Sequence, residues 1–358
     1  MSFENPSLVL HTPGASGSVA WRSPSNLAIV KYWGKHGNQL PRNPSLSLTL
    51  SESYTETKID YRSKEGKGIE LNFAFEGNPN KAFEYRIKTF LSSIVNYFPF
   101  INQLEFSIES KNSFPHSSGI ASSASSMSAL ALGLCSIERD LFGSLDRESE
   151  FLKKASYISR LGSGSASRSV YSDAAIWGQI KGIGGSSDLF AIPWSHNIHK
   201  EFKTYKDAIL IVSPEKKKVS SSAGHQLMEG NIYASARYEQ AKKRLLILTE
   251  AMKEGDLATF GKISEDEALT LHALMMCSDP SYMLIEPGSV GIMKAVREFR
   301  EQTKLPVYFS LDAGPNIHLL YPEAIEKDVE ELIEEKLAHF CTDKRIIYDK
   351  VGSGPSKI

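Results

Sequence analysis

Four short stretches of the chain bring charged or hydroxyl side chains together with residues that turn a backbone sharply. In SLDAGPN (310–316), Asp312 ends an apolar run and Ala-Gly-Pro-Asn turns the chain away at once. A carboxylate at the end of a buried strand, beside a glycine turn, is placed to act as a base; a structural Asx-turn would use the same residues. In RLGSGSASRS (160–169), Gly162 and Gly164 relax the backbone, Ser163 and Ser165 offer hydroxyls, and Arg168 brings a planar cation matched to carboxylate or phosphate. A solvated surface loop has the same composition. In SNLAIVKYWGKHG (25–37), Lys31 and Lys35 bracket Tyr32 and Trp33, with Gly34 permitting a turn before Lys35. Two lysines and a phenol at a strand end suit a diphosphate, and equally a strand edge protected by lysines.

The fourth stretch is NSFPHSSGIASSASSMSALALGL (112–134). Pro115 and Gly119 suit a tight turn, and Ser122 or Ser123 is expected to cap the helix that follows. A helix start offers free N–H groups and partial positive charge, which attract phosphate. Ser117, Ser118 and Ala121 are small enough to let phosphate approach the backbone, and a hydroxyl such as that of Ser122 can help place a metal ion. It is not a Walker loop, because no GK[ST] follows. The structural alternative is a Ser-rich cap on a helix packed closely against its neighbour.

Elements must carry these residues. Residues 17–33 read as strands broken at Ser-Pro-Ser-Asn, and LSLTLSESYTETKID (46–60) alternates like a half-buried strand. Further strands are expected at 69–75, 103–109, 208–213, 306–312, 316–321 and 345–351. Helical spacing covers 80–97, 122–137, 146–161, 224–253, 255–276, 289–302 and 323–340. Strands and helices mix without regular βα alternation, so the class is α+β. The charged connection at 195–207 divides the chain into domains 1–203 and 204–358.

Composition narrows the field. The 358 residues are 41% hydrophobic and 23% charged, an ordinary globular balance. A net charge of -1 points neither to nucleic acid nor to an anionic membrane as partner. No apolar run approaches a bilayer span, and the first residues lack the basic-then-apolar order of a secretory signal. Three scattered cysteines without zinc or redox spacing read as reduced thiols, so a cytoplasmic protein is expected. HNIH (196–199) is weak as a metal motif, and EKKKVSSS (215–222) reads as a solvated loop or a cover over a charged substrate.

The combination resembles a known family. PHSSGIASSAS resembles the phosphate-binding motif P-x-x-x-G-[LI]-x-S-S of the GHMP small-molecule kinases. More narrowly, NLAIVKYWGK with NPSLSLTL, RLGSGSASRS and DAGPN resemble the diphosphomevalonate decarboxylases, and the likeness runs from about residue 18 to the VGSGP near the C-terminus. The resemblance implies a two-domain GHMP fold: a ribosomal protein S5 domain 2-like N-terminal domain, a ferredoxin-like C-terminal domain and a site in the cleft between them. It also implies ATP and Mg²⁺, a homodimer, and ATP-dependent decarboxylation of 5-diphosphomevalonate to isopentenyl diphosphate through phosphorylation of the 3-OH. Relatives acting on 5-phosphomevalonate, a mevalonate 3-kinase and a non-catalytic binding protein of the same fold are the alternatives.

Position by position, Asp312 matches the family's catalytic Asp, and Arg168 the Arg that holds the substrate carboxylate. Tyr32, Lys35, Ser163 and Ser165 match residues around the diphosphate and carboxylate, with Lys31 beside them as a further catalytic candidate. Pro115, Ser117, Ser118, Gly119, Ala121, Ser122 and Ser123 fall on the loop that cradles the ATP phosphates, Ser122 being the candidate Mg²⁺ ligand. The chain departs from the family at His116, Ser118, Asp173, Ser222 and His225. These changes border the substrate side of the implied site, so they bear on substrate identity more than on reaction type.

Overall fold

The computed structural model describes residues 3–12, 14–115, 120–214 and 219–358. The first half contains β1 (Ser16–Val30), the short pair β2 (Lys35–His36) and β3 (Leu40–Pro41), and β4 (Ser45–Ser63). Next come β5 (Glu70–Phe75), β6 (Asn78–Pro79), α1 (Lys81–Ser93) and β7 (Leu104–Asn112). The helices α2 (Ser122–Phe142) and α3 (Glu148–Gly162) then precede β8 (Ala174–Trp177) and β9 (Ala191–Pro193). The second half holds β10 (Lys206–Leu210), α4 (Ser221–Gln226), α5 (Ala234–Glu254), α6 (Leu257–Met276) and α7 (Pro287–Thr303). It ends with β11 (Tyr308–Ser310), β12 (Ile317–Tyr321), α8 (Glu326–Leu332), β13 (Ile346–Lys350) and β14 (Ser356–Lys357).

An eight-stranded mixed sheet runs β14-β1-β4-β7-β5-β6, with β8 and β9 continuing from the early part of β4. A four-stranded antiparallel sheet runs β11-β12-β10-β13. The fold is α+β, as expected, built on these two sheets with β2 and β3 forming a separate two-stranded pair. β14 pairs with Trp21 and Arg22 of β1, so the last strand of the chain belongs to the first sheet. None of the described helices is long and apolar enough to cross a membrane.

The alternation of SLSLTL organises the interior. From Tyr54 onward β4 buries every second residue, but Ser45–Leu50 is buried throughout. Leu46, Leu48 and Leu50 enter an apolar core with Ile209 of β10, Phe260 of α6 and Leu320 of β12. The opposite face sends Ser45 and Ser47 to Arg168, and Thr49 to the Tyr171 carbonyl. One strand thus joins both halves with its leucines and lines a polar pocket with its hydroxyls.

Helix α2 needs small residues for closeness to the sheet. Ser125 and Ser128 meet Thr55 and Ser23 at 2.6 and 2.5 Å, and Trp21 donates to Ser136 at 2.9 Å. Its N-cap is Ala121 in a left-handed conformation, and no side chain caps it. Ser122 and Ser123 are the first helical residues, not caps, so the close-packing reading holds for the later serines of the stretch.

Three expected elements differ. Ser-Pro-Ser-Asn does not break the first strand; β1 continues through it with a register shift between Pro24 and Asn26. A bulge tolerates proline because the missing N–H falls where the ladder is already interrupted. The helix expected at 224–253 is two, since the Asn231 side chain accepts the Tyr233 N–H at 2.9 Å and α5 restarts at Ala234. The segment 323–340 is a succession of 3₁₀, α and π turns rather than one helix.

Candidate active site

β1 delivers Lys31 directly past its last residue, and the backbone there is held from the second half. The Lys31 N–H donates to Glu267 Oε2 at 2.8 Å, while its carbonyl accepts from Asn43 Nδ2 at 3.0 Å and Arg237 Nη2 at 3.1 Å. Glu267 is fully buried in α6 and takes two bonds from Arg237, at 2.7 and 2.6 Å, and one from Arg244 at 2.8 Å. Burial alone would raise its acid, but the two guanidinium groups outweigh burial and hold the carboxyl below its usual range. The Lys31 side chain, 2% exposed, then reaches Ser310 Oγ and Asp312 Oδ1, both at 2.9 Å.

Asp312 follows β11, where its carbonyl accepts from the Gly314 N–H at 2.7 Å and lies 3.1 Å from His272 Nε2. Its side chain keeps 25% exposure and opens on a cavity of about 250 Å³. The sequence reading grouped Lys31 with Lys35 as a diphosphate cluster. The structure separates them: Lys31 turns to Asp312, and Lys35 bonds Gln39 Oε1 at 3.1 Å at another part of the wall.

Arg168 ends a 3₁₀ turn, Gly164–Arg168. Gly164 is required there because a Cβ would sit 2.8 Å from the Trp177 ring and 3.0 Å from Tyr32. The buried guanidinium donates to Ser45 Oγ at 2.6 Å, Ser47 Oγ at 3.0 Å and Asn26 Oδ1 at 3.2 Å. These acceptors are neutral, and no carboxylate lies within salt-bridge distance of Arg168 among the described residues. Burial pushes its pKa down to about 10, partly offset by the Asp312 charge. A cation held this way is complete only with an anion in the cavity.

The remaining wall mixes polar and apolar side chains, and one of its polar groups lacks a partner among the described residues. The Tyr32 hydroxyl is buried with no partner among the described residues, and its ring packs on Trp177 and His225. Ser163 Oγ lies 3.2 Å from Ser123 Oγ and 3.4 Å from Ser165 Oγ. Burial lowers the Lys35 ammonium, and burial together with Lys35 drives His225 down to about 3, so that ring is neutral. Among the described residues, Lys31, Lys35 and Arg168 share the lining with one carboxylate, Asp312, which suits a polyanionic ligand.

Lys31, Tyr32, Lys35, Ala121, Ser123, Ser163, Ser165, Arg168 and Asp312 therefore share one cavity. Ser122 does not line it; it lies on a second cavity of about 630 Å³, between α1, β7 and α2, where Phe73, Phe75 and Phe83 add apolar wall. Ser123, Gly162 and Ser222 border both cavities, so they adjoin at the start of α2. Pro115 lines neither cavity, and Ser117, Ser118 and Gly119, with His116, lie outside the described residues. Of the departures, Ser222 and His225 line the first cavity. Asp173 does not; it sits at φ +55, donates its N–H to the Gly352 carbonyl and accepts from Thr49.

Several residues of this site escaped the sequence reading. Asn26, Ser45, Ser47 and Ser310 hold the cations, and Glu267, Arg237 and Arg244 fix the Lys31 backbone. A signal existed for the first group, since hydroxyls alternating with leucines in NPSLSLTL mark a strand face that is neither solvent nor core. For Glu267 there was none.

The N-terminal domain model of the diphosphomevalonate decarboxylase-like proteins matches residues 23–189, and the C-terminal domain model of mevalonate 5-diphosphate decarboxylase matches 208–357. A diphosphomevalonate decarboxylase of Debaryomyces hansenii is 30% identical over 324 residues, covering 86% of this chain and 80% of that protein. The mevalonate diphosphate decarboxylase of Staphylococcus aureus superposes with a TM-score of 0.82 at 28% identity, covering 96% and 98% of the two chains. A further structure, described as MDDEF in complex with MVAPP, AMPPCP and magnesium, has a TM-score of 0.79 at 28% identity and covers 96% and 99%. The cations around Asp312 and the two adjoining cavities thus sit in a chain that belongs to the diphosphomevalonate decarboxylase family.

Proposed function

We infer that this chain catalyses the ATP-dependent decarboxylation of 5-diphosphomevalonate to isopentenyl diphosphate, releasing ADP, phosphate and CO₂. The observation that carries this reading is the Lys31–Asp312 pair facing Arg168 across one small cationic cavity. Losing CO₂ from a 3-hydroxy acid is difficult because no carbonyl stands where it could absorb the electrons. ATP, bound with Mg²⁺, supplies the phosphoryl group that makes the tertiary hydroxyl a leaving group.

Asp312 is the residue we assign to the 3-OH, accepting or orienting its proton, with Lys31 keeping the carboxylate oriented. Arg168 is assigned to the substrate carboxylate by a planar two-point contact. Tyr32, Lys35, Ser163 and Ser165 are assigned to the rest of the acid and its diphosphate. The second cavity, larger and more apolar, is assigned to the nucleoside, with the uncapped start of α2 at Ala121, Ser122 and Ser123 near its phosphates. No cluster of three His, Cys, Asp or Glu side chains suited to a metal occurs among the described residues. Mg²⁺ therefore fits as an ion carried on nucleotide phosphates, with the Ser122 hydroxyl as its protein ligand. Three further assignments have separate support: the charged connection at 195–207 for domains dividing near 203/204, the scattered cysteines for a cytoplasmic protein, and the family resemblance for a homodimer.

The test is to incubate the protein with Mg²⁺-ATP and either 5-phospho- or 5-diphosphomevalonate, following ADP and CO₂ together. Equal release of both from the diphosphate is expected. ADP without CO₂ would make the chain a kinase. Asp312→Ala should leave nucleotide binding nearly unchanged and lower turnover by roughly 10³-fold or more, as for a group acting in the transition state.

A further inference from the structure

The mechanism leaves one buried titratable group of the cavity unused. His225, on α4, is 8% exposed and held between the rings of Tyr32 and Trp33, at centroid distances of 4.3 and 4.6 Å. Its Nδ1 accepts the Gly34 N–H at 2.9 Å. Gly34 stands at φ +91, directly before Lys35, so this bond also fixes the turn that presents the lysine. A nitrogen that accepts from a backbone N–H carries no proton, so in the neutral ring the proton is on Nε2. Protonating Nδ1 would set two donors against each other, which reinforces the neutral state that burial and Lys35 impose.

With Nδ1 turned to Gly34, the opposite ring edge is the one left to the cavity that His225 lines, and no described residue accepts from Nε2. The neighbouring Tyr32 hydroxyl is likewise a buried donor without a partner among the described residues. The cavity is polarised: Arg168 and Asp312 feel each other's charge, whereas His225 feels Lys35. The reacting carbon belongs to the Asp312 end, so Lys35 and His225 belong to the far end of the substrate.

We propose that His225 is a substrate-binding residue: a neutral imidazole whose Nε2–H donates to a phosphate oxygen at the Lys35 end of the cavity. This rests on the function proposed above. A neutral donor adds directionality there without placing a second cation against Lys35, and it discriminates for an acid carrying phosphate at the position it faces.

The test measures 5-diphosphomevalonate binding by calorimetry, without nucleotide, for wild type, His225→Phe and His225→Gln. Phenylalanine keeps the ring between Tyr32 and Trp33 but has no donor; glutamine restores an N–H. We expect roughly 10- to 100-fold weaker binding for the Phe variant, the range for a lost hydrogen bond to a charged group, with substantial recovery in Gln. KM should rise far more than kcat falls. Unchanged affinity in His225→Phe would overturn the proposal alone, whereas a wild type that binds no 5-diphosphomevalonate would overturn the proposed function with it. Nitrogen-detected spectra of ¹⁵N-histidine-labelled wild-type protein give a second readout that needs only the Gln variant, for assignment. Nε2 should carry the proton and shift on adding substrate; an Nδ1-protonated ring, or no shift, refutes the assignment.

Discussion

At the scale of single residues, the site works by withholding partners. Arg168 is surrounded by the hydroxyls of Ser45 and Ser47 and the amide oxygen of Asn26, groups that orient a guanidinium without neutralising it. In the role we propose for Arg168, the planar geometry of the guanidinium matters more to the substrate carboxylate than its charge. Arg168→Lys should therefore lower kcat/KM by roughly 10²-fold although the charge is retained, because an ammonium cannot reproduce the planar fork. Steady-state kinetics with 5-diphosphomevalonate check this, and an unchanged kcat/KM would remove Arg168 from the reaction. The candidates Asp312, Arg168, Tyr32 and Lys35 were legible because each stands beside a glycine turn or at a strand end. The Lys31–Asp312 contact was not, since it joins residues separated by 281 positions.

At the scale of elements, β1 and α6 hold that contact together. Glu267 joins the Lys31 N–H to two arginines inside the interior, and nothing in its local sequence, SEDEAL, separates it from Glu265, which is buried against Arg297 and Arg300 instead, or from the half-buried Asp266. Helical periodicity places Glu267 on α6 but cannot say which face meets a strand from the other half. Glu267→Ala leaves two guanidinium groups and a backbone N–H without their acceptor, a loss of about 3–5 kcal/mol for a broken buried ion pair. Urea denaturation measures it, and residual folded enzyme should lose turnover as Lys31 drifts from Asp312. The alternation of SLSLTL was legible as a strand with two faces, but that both faces are covered depends on β10 and β12, far along the chain. Asp173 illustrates the converse: its departure from the family lies at a left-handed position away from the cavity, a backbone matter rather than a substrate one.

At the scale of the whole molecule, two buried histidines give stability opposite slopes with pH. His318 lies 2.7 Å from Asp207; burial opposes its charged form, but the carboxylate outweighs burial and raises its pKa. Its contribution is therefore complete below the ordinary histidine value, about 6.5, and is lost as pH rises through the folded value. His225 runs the other way. With a folded value of about 3, its contribution is complete above about 6.5 and falls away as pH drops, amounting to ~2 kcal/mol lost by pH 5. Denaturant midpoints at pH 5, 7 and 9 should fall on both sides. His225→Gln should flatten the acid side and Asp207→Asn the alkaline side. A stability that did not respond to either substitution in this way would refute the assigned protonation states.

The leucine face of β4 has a mechanical consequence. Leu46, Leu48 and Leu50 lie in one core with Ile209, Phe260 and Leu320, and Asp349 of β13 accepts the N–H groups of Ser51, Glu52 and Ser53 at 2.8 Å each. Opening the cleft like a jaw would tear that core and strip three donors from a buried carboxylate. The two halves should therefore melt as one cooperative unit, giving a single transition in calorimetry.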